Sequence, residues 1–298
     1  MKLFQRKKQR MLSDKKLIFA HSPDSDDAFM YYGIAKGKFS IPGYSIDHYM
    51  ADIETLNSIS EKNIYQVTAI SASKYPSVSD KYRIMSCGSS MGRNYGPVVV
   101  STKTNSVINE YEGSKIAVPG KDTTSWALFR IFAKINCTPL FVDFDDVEKT
   151  VKSGEAQLGI LLHEGQILYE KRGFNLVLNL GESWYQETGL PLPLGLDVVC
   201  RQLDEKLCKD IANVSLASIK YALENMDDAI QYSKKISSLD ESNENIKKFI
   251  NMYVNEDTID MGEQGREALS KLYELSVENN IIDAMPKIDI IQAENAFK

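Results

Sequence analysis

Over its first two-thirds the chain alternates short apolar runs with stretches of helical period, and after Arg201 only helical period remains. That switch constrains the fold more than any other feature. Strand–helix alternation at this spacing builds mostly parallel sheets covered by helices, an α/β architecture. Strands are expected at Leu17–His21, Ile46–Met50, Val67–Ser71, Tyr82–Ser86, Pro97–Thr102, Lys115–Pro119, Leu140–Phe144, Leu158–His163, Asn175–Asn179 and Leu194–Arg201. The intervening helices are expected at Asp26–Lys38, Ile53–Lys62, Ser73–Lys81, Thr123–Asn136, Asp146–Lys152 and Gly165–Lys171. The four helical stretches after Arg201 bring no strands of their own, so they must cover a sheet laid down earlier.

At 298 residues the chain exceeds a typical single domain. It holds no internal repeat, low-complexity tract or Pro/Gly-rich linker, so any domain junction is compact. Two candidate crossings, Pro97–Thr102 and Leu194–Arg201, each follow a Gly or Pro cluster. They predict one lobe from residues 17–98 plus 200–298 and a second from 99–199, preceded by a basic arm at residues 1–16 that is expected to be disordered.

The first sixteen residues carry seven Lys/Arg and one Asp, a local +6, so a net charge of −6 leaves −12 on the remainder. A body that acidic is a poor match to nucleic acid or to an anionic membrane surface. The basic start lacks the apolar core and small-residue cleavage site of a secretory signal, and no later run is long enough to span a bilayer. The four cysteines show no metal or CxxC spacing and read as reduced core thiols, so a cytoplasmic location is expected. The sequence carries no signal for an oligomeric state.

The stretch with the most chemistry is GEAQLGILLHEGQ, residues 154–166, a buried strand that delivers His163 at its C-terminal end. Open α/β sheets place ligands at strand ends, and only three histidines compete for the part of a neutral-pH base. His21, at the end of the first strand, is the second candidate base, whereas His48 in mid-strand reads as structural. The run VPGKDTTSW, residues 118–126, joins a strand to a helix and places Thr123 and Thr124 where free backbone N–H groups and the helix dipole favour a carboxylate or phosphate. Ser71 closes another strand, either donating to a ligand or only capping.

The turn SPDSDDAF, residues 22–29, carries more acids than capping needs but has no second ligand cluster to complete a metal site. Ser22 and Asp27 in that turn, and Asn57 on the helix at 53–62, complete the set of candidate ligand contacts. The glycine-rich loop at 87–97 permits unusual dihedrals or a close approach and matches no nucleotide fingerprint. Trp184 and Tyr185 precede a loop that either walls an aromatic ligand or fills the core.

Together these motifs resemble a known family. KIAVPGKDTTSWALF, GEAQLGILLHEGQILY, GESWYQETGLPLPLG and YVNEDTIDMGEQGREALSKLY occur in the order and spacing of the menaquinone-biosynthesis proteins of the futalosine route, over about Leu17 to Ile282. That family is built on the type II periplasmic-binding-protein fold, two α/β lobes with a ligand cleft between them. The resemblance implies a carbon–carbon lyase acting on cyclic dehypoxanthine futalosine, releasing 1,4-dihydroxy-6-naphthoate, with no organic cofactor and no metal. It also implies that His163 matches the family's base, Thr123 and Thr124 its paired threonines, and Ser71 its strand-end serine. A small-molecule substrate, aromatic or polyhydroxylated, follows. Two alternatives share the scaffold: a non-catalytic solute-binding protein, and the sister dehydratase acting on chorismate. The chain departs from the family where SPCPNDTF becomes SPDSDDAF, and where a common Lys before Leu-Ser becomes Ala69 before Ile70-Ser71. Gaining acids and losing a cation makes a pocket less suited to a carboxylate-bearing ligand, which marks a divergent branch.

Overall fold

A computed structural model describes residues 15–163, 165–237 and 242–294. Among these residues the strands are β1 (Lys15–His21), β2 (Tyr44–Met50), β3 (Val67–Ser71), β4 (Tyr82–Met85), β5 (Ser90–Gly92), β6 (Val98–Ser101), β7 (Lys115–Val118), β8 (Thr138–Phe141), β9 (Leu158–Leu161), β10 (Asn175–Asn179), β11 (Leu192–Cys200) and β12 (Ile290–Ile291). They form two sheets. One has seven strands in the order β12-β4-β11-β3-β1-β2, with β5 joined to β11, and the other has five in the order β10-β6-β9-β7-β8. The result is the expected two-lobed α/β fold.

Sequence pattern explains the positions of the strands. β3 and β9 are buried along their whole lengths, as central strands covered on both faces are. β2 alternates half-buried and exposed residues and lies at the sheet's edge, paired only with β1. β1 runs parallel to β2 and β3, and β7 runs parallel to β8 and β9, through the expected helical crossovers.

The sheets are less parallel than alternation alone predicts. β6 is antiparallel to β9 and β10, and β11 is antiparallel to β3, β4 and β5. Both strands arrive from the other sheet, β6 after a short loop and β11 after the helix Leu180–Thr188, so neither is placed by a crossover within one sheet.

Strand β11 also moves an expected boundary. It is hydrogen-bonded into the seven-stranded sheet from Leu192 onward, so residues 192–199, expected in the second lobe, belong to the first sheet. The chain therefore returns before residue 192. Of the expected basic arm, residues 1–14 lie outside the described residues, while Lys15 and Lys16 open β1 opposite Tyr44 and Ser45.

The helices after Arg201 cover the first sheet as expected. Residues of the Glu205–Glu224 helix, such as Ile211 and Ala212, pack with Leu17, Phe19, Val67 and Val199. A larger cluster joins the lobes. Ile70 and Val198 of the first sheet share a continuous apolar core with Val99, Ile116 and Ile160 of the second. The helices Thr124–Phe132 and Gly262–Glu278 meet in it through Leu128, Phe129, Leu269 and Leu272. Trp184, on a helix at Leu180–Thr188 for which the sequence pattern predicts no element, fills this core and donates its indole N–H to the Leu190 carbonyl at 2.9 Å. Among the described residues no helix is long and apolar enough to cross a membrane. All four cysteines are free thiols.

Candidate active site

The cleft between the two sheets spans about 750 Å³ of empty space, part of it open to solvent. Its wall gathers the ends of β1, β3, β9 and β11 with the start of the Thr124–Phe132 helix, and Ser22, Asp27, Ser71, Thr123, Thr124 and His163 all line it. Asn57 does not. It is fully buried behind Ser71, accepting from the Ser71 N–H at 2.9 Å and donating to Ser71 Oγ at 3.0 Å. This bidentate hold orients the serine, whose hydroxyl hydrogen has no acceptor among the described residues.

His163 follows β9 in a left-handed conformation, φ 46°, that a side-chain-bearing residue adopts only where its surroundings impose it. Its ring lies 4.6 Å from Phe144 and 5.9 Å from Phe249, centroid to centroid. Its Nδ1 faces Asp24 Oδ1 from the opposite lobe at 3.6 Å. The Asp24 carboxylate is fixed in turn, because Oδ2 accepts from the Ser22 hydroxyl at 2.6 Å. Above His163, the Tyr253 hydroxyl donates to Gln166 Oε1 at 2.8 Å, tying the Asn243–Tyr253 helix to the segment after β9.

His21 has a different role from the one expected of a second base. It is buried outside the cleft lining, with Nδ1 at 2.8 Å from the Ser22 carbonyl and Nε2 at 3.0 Å from His48 Nδ1. Burial, then repulsion from His48, lowers its pKa to about 4, so it is neutral at physiological pH. The ring stacks on Tyr31 with centroids 4.4 Å apart and supports the acidic turn from behind.

The threonine turn is built otherwise than the sequence predicts. Thr123 caps its helix by accepting from the Trp126 N–H, and its hydroxyl donates to the Gly120 carbonyl at 2.9 Å. Thr124 donates to the Leu194 carbonyl at 2.8 Å and accepts from the Ser73 N–H at 3.1 Å. Both hydroxyl hydrogens are therefore committed to carbonyls. The Lys121 and Asp122 N–H groups are taken by the Glu54 carboxylate, at 3.1 and 3.2 Å. Gly120 permits this approach, since a Cβ there would lie 2.5 Å from Glu54 Oε2. The donors left for an anionic group are the first amides of the helix, those of Thr124 and Ser125, which have no intrahelical acceptor by the geometry of any helix start.

The cleft floor is acidic. Asp27 accepts from the Ser22 N–H at 2.7 Å, and its pKa stands well above the carboxylate range because of burial, then repulsion from Asp26 and Asp197. Asp197 on β11 accepts from the Tyr31 hydroxyl at 2.8 Å, and its own pKa is raised to about 7, chiefly by burial. The glycine-rich loop serves this acid directly: Gly88, at φ +83°, packs so closely that a Cβ would lie 2.4 Å from Asp197 Oδ2.

Asp197, Glu54, Phe249 and Tyr253 were not singled out from the sequence. A lone acid inside the apolar run Leu196-Asp197-Val198-Val199 was the available signal for the first. Phe249 and Tyr253 show only the i, i+4 spacing of an ordinary amphipathic helix, and tertiary packing alone brings them to the cleft.

A sequence profile described as menaquinone biosynthesis matches residues 17–278. A 1,4-dihydroxy-6-naphthoate synthase of Thermus thermophilus is 32% identical over 257 residues, 86% of this chain and 92% of the relative. Among solved structures, a protein of Archaeoglobus fulgidus superposes with a TM-score of 0.85 at 41% identity, covering 90% of this chain and 98% of that one. The alkanesulfonate-binding protein of Xanthomonas axonopodis pv. citri superposes at 0.70 with 10% identity, covering 94% and 99%, a likeness of periplasmic-binding-protein fold alone.

Proposed function

The chain belongs to the menaquinone biosynthesis family, and from that membership and the chemistry of the cleft we propose that it is a carbon–carbon lyase converting cyclic dehypoxanthine futalosine to 1,4-dihydroxy-6-naphthoate. The observation that carries the reading is His163, presented at a strand end into a cleft that also holds Ser71 and the helix start at Thr124. The two lobes divide near residue 97 and again before β11, with the substrate between them.

In this reading His163 is the general base. With its proton on Nδ1, facing Asp24, the basic lone pair lies on Nε2. Asp24 and His163 come from opposite lobes, so the pair is complete only when the lobes are closed on each other, which around a substrate also removes water from the reacting bond. The amides of Thr124 and Ser125, with the Ser71 hydroxyl, hold the carboxylate end of the substrate.

Incubating the purified protein with cyclic dehypoxanthine futalosine tests this, and formation of the naphthoate is the expected result. Tight binding of another metabolite without turnover would instead make it a solute-binding protein. Dehydration of chorismate would make it the sister enzyme.

A further inference from the structure

We propose that the floor of the cleft is a subsite for a hydroxyl group of the ligand, with Asp197 Oδ1 as the acceptor that selects it. The inference rests on the proposed function for the ligand's identity, since 1,4-dihydroxy-6-naphthoate carries, by its name, two hydroxyls as well as a carboxylate. Its physical basis is an unmet hydrogen bond.

Asp197 is 2% exposed and lines the cleft. One carboxyl oxygen, Oδ2, accepts from Tyr31, whereas Oδ1 is buried with no hydrogen-bond partner. Such an oxygen is destabilising when left without a partner, and buried polar atoms in folded proteins nearly always have one. The surroundings supply none. Opposite Asp197 on β3 is Ala69, which offers only a methyl group, and no Lys or Arg is among the residues lining the cleft. Gly88 and Tyr31 hold the carboxyl in place, so it cannot turn away to find a partner elsewhere.

The same surroundings define the missing group. Asp24 and Asp26 also line the cleft, so a ligand carboxylate is repelled from the floor and directed to the helix start at Thr124. Among the described residues no three His, Cys, Asp or Glu side chains converge as a metal site. With burial and Asp26 raising its proton affinity, Asp197 does not call for a full countercharge, and Oδ1 suits a group that donates to the ionised carboxylate and accepts from the protonated carboxyl. A neutral hydroxyl satisfies that requirement. The ligand is thereby oriented along the cleft, acid end toward the helix start and hydroxyl end toward β11.

The test is equilibrium binding of 1,4-dihydroxy-6-naphthoate and of 2-naphthoate, the same ring acid without hydroxyls, to the wild type and to Asp197→Ala. The wild type is expected to bind the dihydroxy acid at least about ten-fold more tightly. In Asp197→Ala that ratio should fall below about three-fold, with 2-naphthoate affinity unchanged. Asp197→Asn, which keeps an acceptor for Tyr31, provides the same measurement if the alanine variant does not fold. A folded variant that retains the wild-type ratio overturns the subsite, as does a wild type that binds both acids equally or neither. Turnover of cyclic dehypoxanthine futalosine by the wild type separates this inference from the function beneath it. Turnover with an unchanged ratio removes the subsite and leaves the enzyme; a hydroxyl-dependent ratio without turnover does the reverse.

Discussion

His163 owes its place to β9 ending two residues early. The strand stops at Leu161, and the left-handed turn at His163 aims the imidazole across the cleft rather than along the sheet. Replacing the ring with a shorter amide keeps the polarity and removes the base. His163→Asn is therefore expected to lower turnover by about two to four orders of magnitude with little change in ligand affinity; a folded variant turning over at the wild-type rate would end the mechanism. At this scale the sequence was most legible where a polar residue closes an apolar run. His163, Ser71 and Ser22 all follow strands, and a strand end is a place as well as a pattern. Asn57 was less legible: its helix was predictable, but whether it faces the ligand or a serine depends on the distance between that helix and β3. Asp24 could be read only as one acid among several, because its opposition to His163 spans the two lobes.

Among the elements, the start of the Thr124–Phe132 helix most changes what a mutation means. A strand, a Gly and two threonines before a helix imply free hydroxyl donors, and residue types alone cannot show that carbonyls of Gly120 and Leu194 have taken both hydrogens. Thr124 is the stronger structural tie, since it links its helix to β11 and to Ser73 of the other lobe. Thr124→Val would leave a partly buried carbonyl and a partly buried N–H without partners and is expected to cost about 1–3 kcal/mol of folding stability. Thr123→Val removes a cap and should cost about 1 kcal/mol. Urea denaturation of the two single variants distinguishes them, and equal, negligible losses would show that neither bond matters. Ligand affinity should respond less than stability in both, because the amides that meet the anion belong to the backbone.

Across the whole molecule, two buried titrations of opposite sign meet, Asp197 at the floor of the cleft and His21 behind it. His21 is displaced from 6.5 to about 4, so the unfolded chain binds its proton first and stability is lost as pH falls through that interval. Asp197 is displaced from 3.8 to about 7, so the folded chain holds its proton longer and stability is lost as pH rises through its interval. Between about pH 4 and 6.5 the two slopes oppose each other, each worth up to about 1.4 kcal/mol per pH unit. Neither was foreseeable from composition, since both come chiefly from burial, which the packing of segments distant in sequence sets. Asp197→Asn keeps the shape and removes one titration. Its stability relative to the wild type is expected to rise as pH climbs from about 4 to about 7 and to level off above, by an amount on the order of a few kcal/mol. Denaturant midpoints at pH 4.5, 6 and 8 measure this. A gap that stays constant across the three would mean that Asp197 ionises in the fold as it does in water, and that the floor of the cleft is wetter than its packing implies.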